Sequence, residues 1–416
     1  MKILHLSEKA HGGGAESVFR DTITALKRFD IENTHLVGCI SDSSLGFSVD
    51  VDFKNKRNKS KLRILLSQIF SFHNFRILLS FLNEKKPDII HLQNYGNLSP
   101  SILKAIKVYK NNNKKIKVIH TVHTFEYLCS HHAAYDYKKK TKCLDCSNST
   151  FKTKIFYRGC SRGGFIHSIG KGITSLLASY YINKGIIDKW ITPSEFLKAQ
   201  MGQYRLLISN ISSIKNPLPD IFINQSISDE FDYGMKENLV VYFGRLSNEK
   251  NIDVLIKSFY LLKLNHFNIR LKIIGEGLEL KRLIKLVKDF DIEDIVEFVP
   301  FVRQESLKII LNKAKVSVLP SKCYETASML VFESVASNVV PIVTNHGGMK
   351  EMVEWIALGH TFENDNSQDL SNQILKALAS YETTSKSFDL VREKIKSLDL
   401  KCYSEKISTI YKNILI

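Results

Sequence analysis

Short apolar runs alternate with amphipathic segments along most of the chain. In the first half, the apolar runs of strand length are KILHLS (2–7), HLVGCI (35–40), DIIHLQ (88–93) and VIHTVH (118–123). After about residue 215 the alternation becomes more regular, with predicted strands at LVVYFG (239–244), LKIIG (271–275), VSVLP (316–320) and VVPIVT (339–344). Strands that alternate with helices predict parallel sheets covered by helices, so the fold class is α/β.

Two such series predict two Rossmann-like, doubly wound domains that face each other. Two prolines in IKNPLPD (214–220) interrupt the pattern and place the boundary there. We expect an N-terminal domain over residues 1–215, a C-terminal domain over 216–395, and a helix over 396–416 that packs back on the N-terminal domain. Between about residues 124 and 175 the rhythm fails, which predicts a long irregular insertion that is functional or mobile.

The chain carries a strong excess of positive charge. Its 416 residues have a formal net charge of +17, which favours nucleic acid, a phosphorylated substrate or an acidic membrane lipid as partner, with a solvated lysine-rich surface as the alternative. A basic cluster leads into the apolar stretch LRILLSQIFSFHNFRILLSFL (62–82), a pattern typical of contact with an anionic bilayer. The cluster consists of Lys54, Lys56, Arg57, Lys59, Lys61 and Arg63.

The N-terminal stretch and the cysteines indicate in which cellular compartment the protein works. The stretch MKILHLSEKAHGGG lacks the apolar length of a signal peptide, and no segment reaches 18 consecutive apolar residues. The seven cysteines, an odd number, indicate reduced thiols. We therefore expect a cytoplasmic protein that associates peripherally with the inner face of the cell membrane.

Two glutamates flank the apolar stretch of YETASMLVFE (324–333). Eight positions would separate Glu325 and Glu333 by about 80° around a helix, so a single helix face does not explain the pair. If VSVLP ends near Pro320, Glu325 lies in the loop at the carboxyl edge of the sheet. Ser328 then caps a helix that carries Glu333, and the N–H groups from Ser328 through Met329 and Leu330 to Val331 favour a phosphate. Carboxylates on either side of a diphosphate fit a nucleotide sugar.

Glycines and cations follow other predicted strands. Gly244, Arg245 and Lys250 lie in GRLSNEKN, directly after LVVYFG, where both cations suit phosphate oxygens. Gly13 and Gly14 lie between the first strand and a helix, which favours close approach of a ligand. Their spacing is not that of the dinucleotide fingerprint, so a nicotinamide cofactor is not expected.

These segments together resemble one enzyme family. GRLSNEKN (244–251), GEG (275–277) and PSKCYETASMLVFESVASNVVPIVTNHGG (320–348) resemble the nucleotide-sugar half of family 4 retaining glycosyltransferases (glycosyl transferases group 1), which have the GT-B fold. HGGGAESV (11–18), KPDIIHLQN (86–94) and HTVHTFEYLC (120–129) resemble the N-terminal half. The resemblance implies two Rossmann-like domains with a deep cleft between them.

The resemblance also implies roles for single residues. Glu325 is similar to the carboxylate that holds the hydroxyls of the donor sugar, and Glu333 to the ligand of the ribose. Arg245 and Lys250 resemble the pair that neutralises the leaving diphosphate, and His123 the histidine that faces the transferred sugar. The glycine loop of Gly13 and Gly14 would approach the diphosphate. No catalytic metal is implied. Gln93, where a histidine often stands, and Ser328, in place of a glycine, leave donor and acceptor identity open.

The insertion carries two further signals. Cys129, Cys143, Cys146 and Cys160 have spacing typical of a structural zinc site, with ordinary loop cysteines as the alternative. Basic and aromatic residues interleave there, which favours an anionic lipid-linked acceptor or a membrane surface over a solvated loop and over nucleic acid. They are Lys138, Lys139, Lys140, Lys142, Lys152, Lys154, Arg158, Arg162, Tyr135, Tyr137 and Tyr157.

The sequence therefore predicts a retaining glycosyltransferase that moves a hexose-type sugar from a nucleoside-diphosphate sugar to a lipid-linked glycan of a surface polysaccharide, such as a capsule or O-antigen. Two alternatives remain open. One is a nucleotide-sugar epimerase with the GT-B fold. The other is a non-catalytic, basic protein that binds nucleic acid or membranes.

Overall fold

The structure is a computed structural model that describes residues 1–10, 12–41, 47–53, 66–149, 151–203, 210–223 and 236–416. The predicted basic cluster, Lys54 to Arg63, lies outside these residues. Two compact units are formed. The first comprises Met1–Lys139, Cys143–Pro217 and Leu400–Ile416, and the second comprises Lys140–Lys142 and Leu218–Asp399.

The strands coincide closely with the apolar runs of the sequence. In chain order they are β1 (Lys2–Leu6), β2 (Thr34–Cys39), β3 (Val51–Asp52), β4 (Ile89–Leu92), β5 (Lys117–Thr121), β6 (Tyr135–Asp136), β7 (Thr141–Lys142), β8 (Lys189–Thr192), β9 (Ile211–Ser213), β10 (Glu237–Phe243), β11 (Arg270–Ile274), β12 (Val296–Val299), β13 (Ala314–Leu319), β14 (Val340–Thr344) and β15 (His360–Phe362).

The helices connect these strands. They are α1 (Gly14–Phe29), α2 (Phe72–Lys85), α3 (Ser101–Asn112), α4 (Ile155–Arg158), α5 (Gly164–Ile182), α6 (Glu195–Gly202), α7 (Asp220–Ile223), α8 (Ile252–Leu264), α9 (Leu280–Asp289), α10 (Gln304–Lys313), α11 (Met329–Val335), α12 (Gly347–Ile356), α13 (Ser367–Ala379), α14 (Tyr381–Lys396) and α15 (Leu400–Leu415). Among the described residues, none of them combines the length and the apolar character needed to cross a membrane.

Each unit is built on one parallel sheet. The strand order is β3-β2-β1-β4-β5-β8-β9 in the first unit and β12-β11-β10-β13-β14-β15 in the second. The order reverses between β1 and β4 and again between β10 and β13. In a doubly wound sheet a ligand crevice opens at such a switch point, beyond the carboxyl ends of the strands. Two parallel sheets with connecting helices confirm the α/β prediction.

The last helix belongs to the first unit. Tyr403, Ile407 and Tyr411 of α15 are buried in one apolar cluster with Ile3 and Leu26. The Tyr411 hydroxyl lies 2.6 Å from Nδ1 of His91, a strand histidine that also contacts Thr121 through Nε2 at 2.8 Å. Both ring nitrogens of the buried His91 therefore have hydrogen-bond partners, as expected for a histidine with a structural role.

The prediction of irregular structure up to residue 175 is wrong at its C-terminal end. The irregular segment ends before Gly164, where the 19-residue helix α5 begins. Its buried face is formed largely by small residues, namely Ser168, Gly172, Ser175 and Ser179. The usual pattern of apolar residues inside and polar residues outside is therefore absent, so periodicity did not reveal the helix.

The predicted basic and aromatic surface of the insertion is also smaller than expected. Lys152 is 2% exposed, its ammonium donates to the Glu126 carbonyl at 3.1 Å, and burial lowers its pKa to about 8. Tyr135 is fully buried, whereas Tyr157 is 69% exposed. The side chains of Lys152 and Tyr135 thus lie inside the insertion and do not contribute to its surface.

Candidate functional site

Two loops meet at the switch point of the second sheet. One follows β10 and contains Arg245 and Lys250, and the other follows β13 and contains Glu325. The N–H of Lys322 donates to the carbonyl of Glu249 at 2.8 Å, which joins the loops. Because β10 and β13 are neighbours in the sheet, residues distant in sequence converge at its carboxyl edge.

Lys250 and Glu325 form an ion pair at this point, with the ammonium donating to Oε1 of the carboxylate. The Ser321 hydroxyl donates to the same oxygen at 2.9 Å, and the Cys323 thiol lies 3.7 Å from it. The two charged side chains are 17% and 19% exposed. Burial alone would lower the pKa of Lys250, but the Glu325 carboxylate outweighs it and raises that pKa, so the lysine is charged.

Arg245 stands at the surface of the same loop. Its Nη2 donates to Oε1 of Glu249 at 3.2 Å, and its side chain is 60% exposed while that of Glu249 is 3% exposed. The Tyr242 hydroxyl donates to the Arg245 carbonyl at 2.9 Å. The sequence prediction missed Glu249, although its position four residues after Arg245, between the two cations, was the available signal.

Asn251 ends the short 3₁₀ helix that carries Lys250. Its φ of +54° lies in the left-handed region, which favours glycine and which asparagine tolerates better than most residues. The side-chain amide donates to Oδ1 of Asp365 at 3.0 Å. Asparagine can therefore occupy this left-handed position without a glycine.

The remaining predicted donor ligands lie on or beside α11. Ser328 is the N-cap residue, as predicted, but its hydroxyl makes no capping hydrogen bond. Leu330 is buried, whereas Met329 and Glu333 are half-buried. Glu333 is in the second half of this seven-residue helix, and its carbonyl accepts from the Ser337 hydroxyl at 2.8 Å. The structure thus brings Lys250 and Glu325 into direct contact and places Glu333 on the helix that follows.

Three glycines of the second unit lie directly against the backbone of the site loops. A Cβ on Gly275 would lie 1.9 Å from the Gly244 carbonyl oxygen, and one on Gly277 would lie 2.0 Å from that of Leu246. Likewise, a Cβ on Gly348 would lie 2.2 Å from the Thr326 carbonyl oxygen. These contacts are far shorter than real Cβ contacts, so the glycines allow the site loops to pack backbone against backbone.

The glycine loop of the first unit is different. Gly12 has a φ of +143°, which favours glycine, but Gly13 and Gly14 have no positive φ. A Cβ on Gly14 would meet nothing within 4 Å, and one on Gly13 would meet only the end of the flexible Glu16 side chain at 3.0 Å. The Gly13 N–H donates to the Glu16 carboxylate at 2.9 Å. Internal packing therefore does not require glycine at position 14.

His123 follows β5 and is held by the loop after β4. Its Nε2 lies 2.8 Å from Oε1 of Gln93, and both side chains are buried. Burial, aided by the neighbouring His120, lowers the pKa of His123 to about 3, so the ring is neutral. Glu8, which follows β1, accepts from the backbone and side-chain amides of Asn97 at 2.6 and 2.9 Å. The sequence prediction missed this buried glutamate at the first switch point.

The four cysteines of the insertion line one small cavity of about 10 Å³, together with His131. Burial acts to lower the pKa of His131, but hydrogen bonds to Cys129 and Cys160 raise it to about 10. Within the part of the chain that the structure describes, no group of three or more His, Cys, Asp or Glu side chains is arranged to hold a metal ion. Zinc at these cysteines therefore stays a prediction.

Comparison with known families covers both units. The sequence model of Glycosyltransferase Family 4 matches residues 12–219, half of the chain, and that of Glycosyl transferases group 1 matches residues 224–389. Both matches follow the order in which the resembling motifs occur.

Individual relatives are distant. A Haemophilus influenzae protein named an uncharacterized glycosyltransferase is 28% identical over 46% of this chain, and the match spans only about half (51%) of that protein's length. The lipopolysaccharide 1,2-N-acetylglucosaminetransferase of Salmonella typhimurium is 25% identical over 52% of this chain and 58% of its own.

Solved structures are similar over the whole chain. The crystal structure of Anabaena Alr3699/HepE in complex with UDP-glucose has a TM-score of 0.69 at 16% identity, and the match covers 99% of this chain and 100% of that one. At this identity the likeness shows the fold, which is the predicted two-domain α/β GT-B fold.

Proposed function

The chain belongs to Glycosyltransferase Family 4, and on this premise we propose that it transfers a hexose-type sugar from a nucleoside-diphosphate sugar to a lipid-linked glycan. The observation that carries this proposal is the Lys250–Glu325 ion pair at the switch point of the second sheet, with the Arg245 guanidinium on the same loop. Two cations suit a diphosphate, and a carboxylate beside them suits sugar hydroxyls.

The ion pair can serve both ends of such a donor. The Lys250 ammonium has three N–H donors, and its bond to Glu325 uses one, which leaves donors for phosphate oxygens. The contacts from Lys250, Ser321 and Cys323 all go to Oε1 of Glu325. We propose that Oε2 accepts hydrogen bonds from the transferred sugar, and that Glu333 on α11 binds the ribose.

We further propose that the transfer retains the anomeric configuration by attack on the face that the diphosphate leaves. The bond from the anomeric carbon to the phosphate oxygen breaks, and a bond to the acceptor oxygen forms. The acceptor hydroxyl gives its proton to the departing phosphate oxygen. Lys250 and Arg245 stabilise the negative charge that grows on the diphosphate, which is the charge that rises most in the transition state.

Two residues of the first unit also have properties that suit the proposed donor. Gly14 has open space where a side chain would stand, which fits the approach of a diphosphate to the backbone. His123 is neutral and held by Gln93, so it suits a hydrogen bond to a sugar hydroxyl and not proton transfer. No catalytic metal is part of this proposal.

The names of the relatives and the net charge support a proposal for the acceptor and the place of action. The Salmonella typhimurium relative is named for lipopolysaccharide, and the Anabaena structure holds UDP-glucose. We propose a surface-polysaccharide acceptor, such as a capsule or O-antigen intermediate, at the inner face of the cell membrane. The net charge of +17 supports an anionic membrane surface.

A two-step experiment tests this function. A thermal-shift screen of nucleoside diphosphates and their hexoses should find one base whose compounds raise the melting temperature, because a ligand of the folded state stabilises it. The hit is then incubated with membrane lipid extract, and the product linkage is determined by NMR. Acceptor-dependent release of the diphosphate with a retained anomeric centre is expected. Interconversion of the donor without transfer would identify an epimerase, and the absence of any stabilising nucleotide would contradict the proposal.

A further inference from the structure

Helix α5 carries six apolar side chains on one side, of which three are exposed and three are half-buried. At about 100° per residue, six apolar positions fall within an arc of roughly 100°, on the side away from the buried serines and Gly172. We call these six the α5 stripe; they are Ile166, Ile169, Ile173, Leu176, Leu177 and Tyr180. Ile166 is 79% exposed, Tyr180 49% and Ile173 36%.

The inner face of α5 explains why the helix lies this way round. A Cβ on Gly172 would lie 2.7 Å from the ring of Phe156, so α4 packs tightly against α5 at this point. Ser168 donates to the Gly164 carbonyl at 2.8 Å and its hydroxyl accepts from the Ser161 N–H at 3.1 Å. The small residues thus pack the helix against its own unit, and the α5 stripe lies outside this packed face.

The surroundings of the stripe are basic. Between Cys146 and Ile187 the sequence has no Asp or Glu, and besides the buried Lys152 it has five Lys or Arg residues. Lys107 of α3 and Lys184 place their ammonium groups 5.3 and 5.7 Å from the ring centroid of Tyr180, at one end of the stripe. Arg162 is exposed just before the other end.

The neighbouring helices extend this arrangement. Lys104, one turn before Lys107 on α3, places its ammonium 5.3 and 5.4 Å from the rings of Phe70 and Phe75. Phe72, at the start of α2, is 69% exposed. Lysines over aromatic rings beside exposed apolar side chains are typical of surfaces that meet a membrane interface.

We infer that the α5 stripe is a docking surface for an anionic lipid bilayer. The helix would lie in the plane of the interface, with the stripe in the outer part of the acyl chains and the flanking cations at the phosphate headgroups. A second copy of the chain fits less well, because a twofold contact through this stripe would bring the same basic residues face to face. The inference adds a surface to the proposed membrane location and does not depend on the transfer reaction.

Flotation of the full chain with phosphatidylcholine vesicles, with and without phosphatidylglycerol, tests the inference. The native chain should float with the anionic vesicles and only weakly with the neutral ones. The double variant Ile166→Ser/Ile173→Ser should lose at least about tenfold in partition, because two large apolar side chains no longer enter the bilayer. The matched control Leu264→Ser/Leu390→Ser changes side chains that are 57% and 82% exposed in the second unit, and it should float like the native chain.

The alternatives give distinct results. Unchanged flotation of the stripe variant would overturn the inference, and equal flotation with neutral vesicles would overturn its anionic part. A native dimer that the stripe variant converts to a monomer, with flotation unchanged, would identify a self-association surface instead. Melting temperature and nucleotide-induced stabilisation show whether each variant is folded, and the single variant Ile166→Glu at the most exposed position serves if the double variant is not. Loss of flotation with donor binding intact separates this inference from the proposed function.

Discussion

Lys250 donates to the carboxylate of Glu325 although 75 positions separate the two residues in the chain. The contact exists because β10 and β13 are adjacent in the sheet while β11 and β12 lie on the other side of β10. Neither charge has much access to water, so each depends on the other. In the proposed reaction this pair fixes a cation for the diphosphate and a carboxylate for the sugar in one rigid geometry.

Lys250→Ala and Glu325→Gln should each lower kcat by about 100-fold or more, since each removes a charge placed for the donor. Steady-state release of nucleoside diphosphate with the donor identified by thermal shift is the measurement. Lys285→Ala is the matched control, because Lys285 forms an exposed pair with Asp289 on α9 and should retain full activity. Native rates in a folded Lys250→Ala variant would remove the lysine from the proposed mechanism.

Gly275→Ala should destabilise the second unit by more than about 2 kcal/mol, because its Cβ would meet the Gly244 carbonyl oxygen and its φ of +142° is unfavourable for alanine. Urea unfolding followed by circular dichroism measures the loss. Gly202→Ala at the end of α6 serves as the comparison, since a Cβ there meets nothing within 4 Å and φ is not positive. Equal midpoints for the two variants would show that the close packing of the two loops is not needed.

The sequence predicted most of the strands because buried parallel strands are short apolar runs with little ambiguity. It also placed Arg245, Lys250 and Glu325 at strand ends. The sequence did not predict the direct contact of Lys250 with Glu325, because a local sequence pattern does not determine which strands are neighbours in a sheet. Glu249 was missed since an acid in a loop normally indicates an exposed position, and this one is buried. Helix α5 was missed because small residues form most of its buried face, so its sequence lacks the usual pattern of buried apolar and exposed polar positions.

We predict that purified protein contains about one zinc ion per chain, because the spacing of the four cysteines is typical of a structural site. Cys129, Cys143, Cys146 and Cys160 line the same cavity, and thiolates there would close on the ion as it binds. Elemental analysis measures the metal, and Cys143→Ser/Cys146→Ser should lose it and melt at a lower temperature. Cys402→Ser, on α15, is the control that should keep it. Native protein without stoichiometric zinc would leave these residues as ordinary loop cysteines.

The buried histidines predict how stability depends on pH. Burial, with neighbouring histidines, lowers the pKa values of His91 and His123 to about 3, against about 6.5 in the unfolded chain. Between these values the unfolded chain binds more protons than the folded one, so the free energy of unfolding decreases as pH falls below about 6.5, by up to about 1.4 kcal/mol per pH unit for each histidine. The full contribution is present above that pH.

The melting temperature should therefore fall steadily from about pH 7 to about pH 5 at constant ionic strength. His91→Gln should make the fall of the melting temperature with pH less steep, because glutamine does not titrate. The same variant should lower stability at neutral pH, because it disturbs the contacts of His91 with Tyr411 and Thr121. Since His123 stays neutral over this range, the pH profile of the transfer rate should show no ionisation of that ring. A melting temperature that rises on acidification, or a rate that follows a histidine with an ordinary pKa, would contradict the burial of these rings.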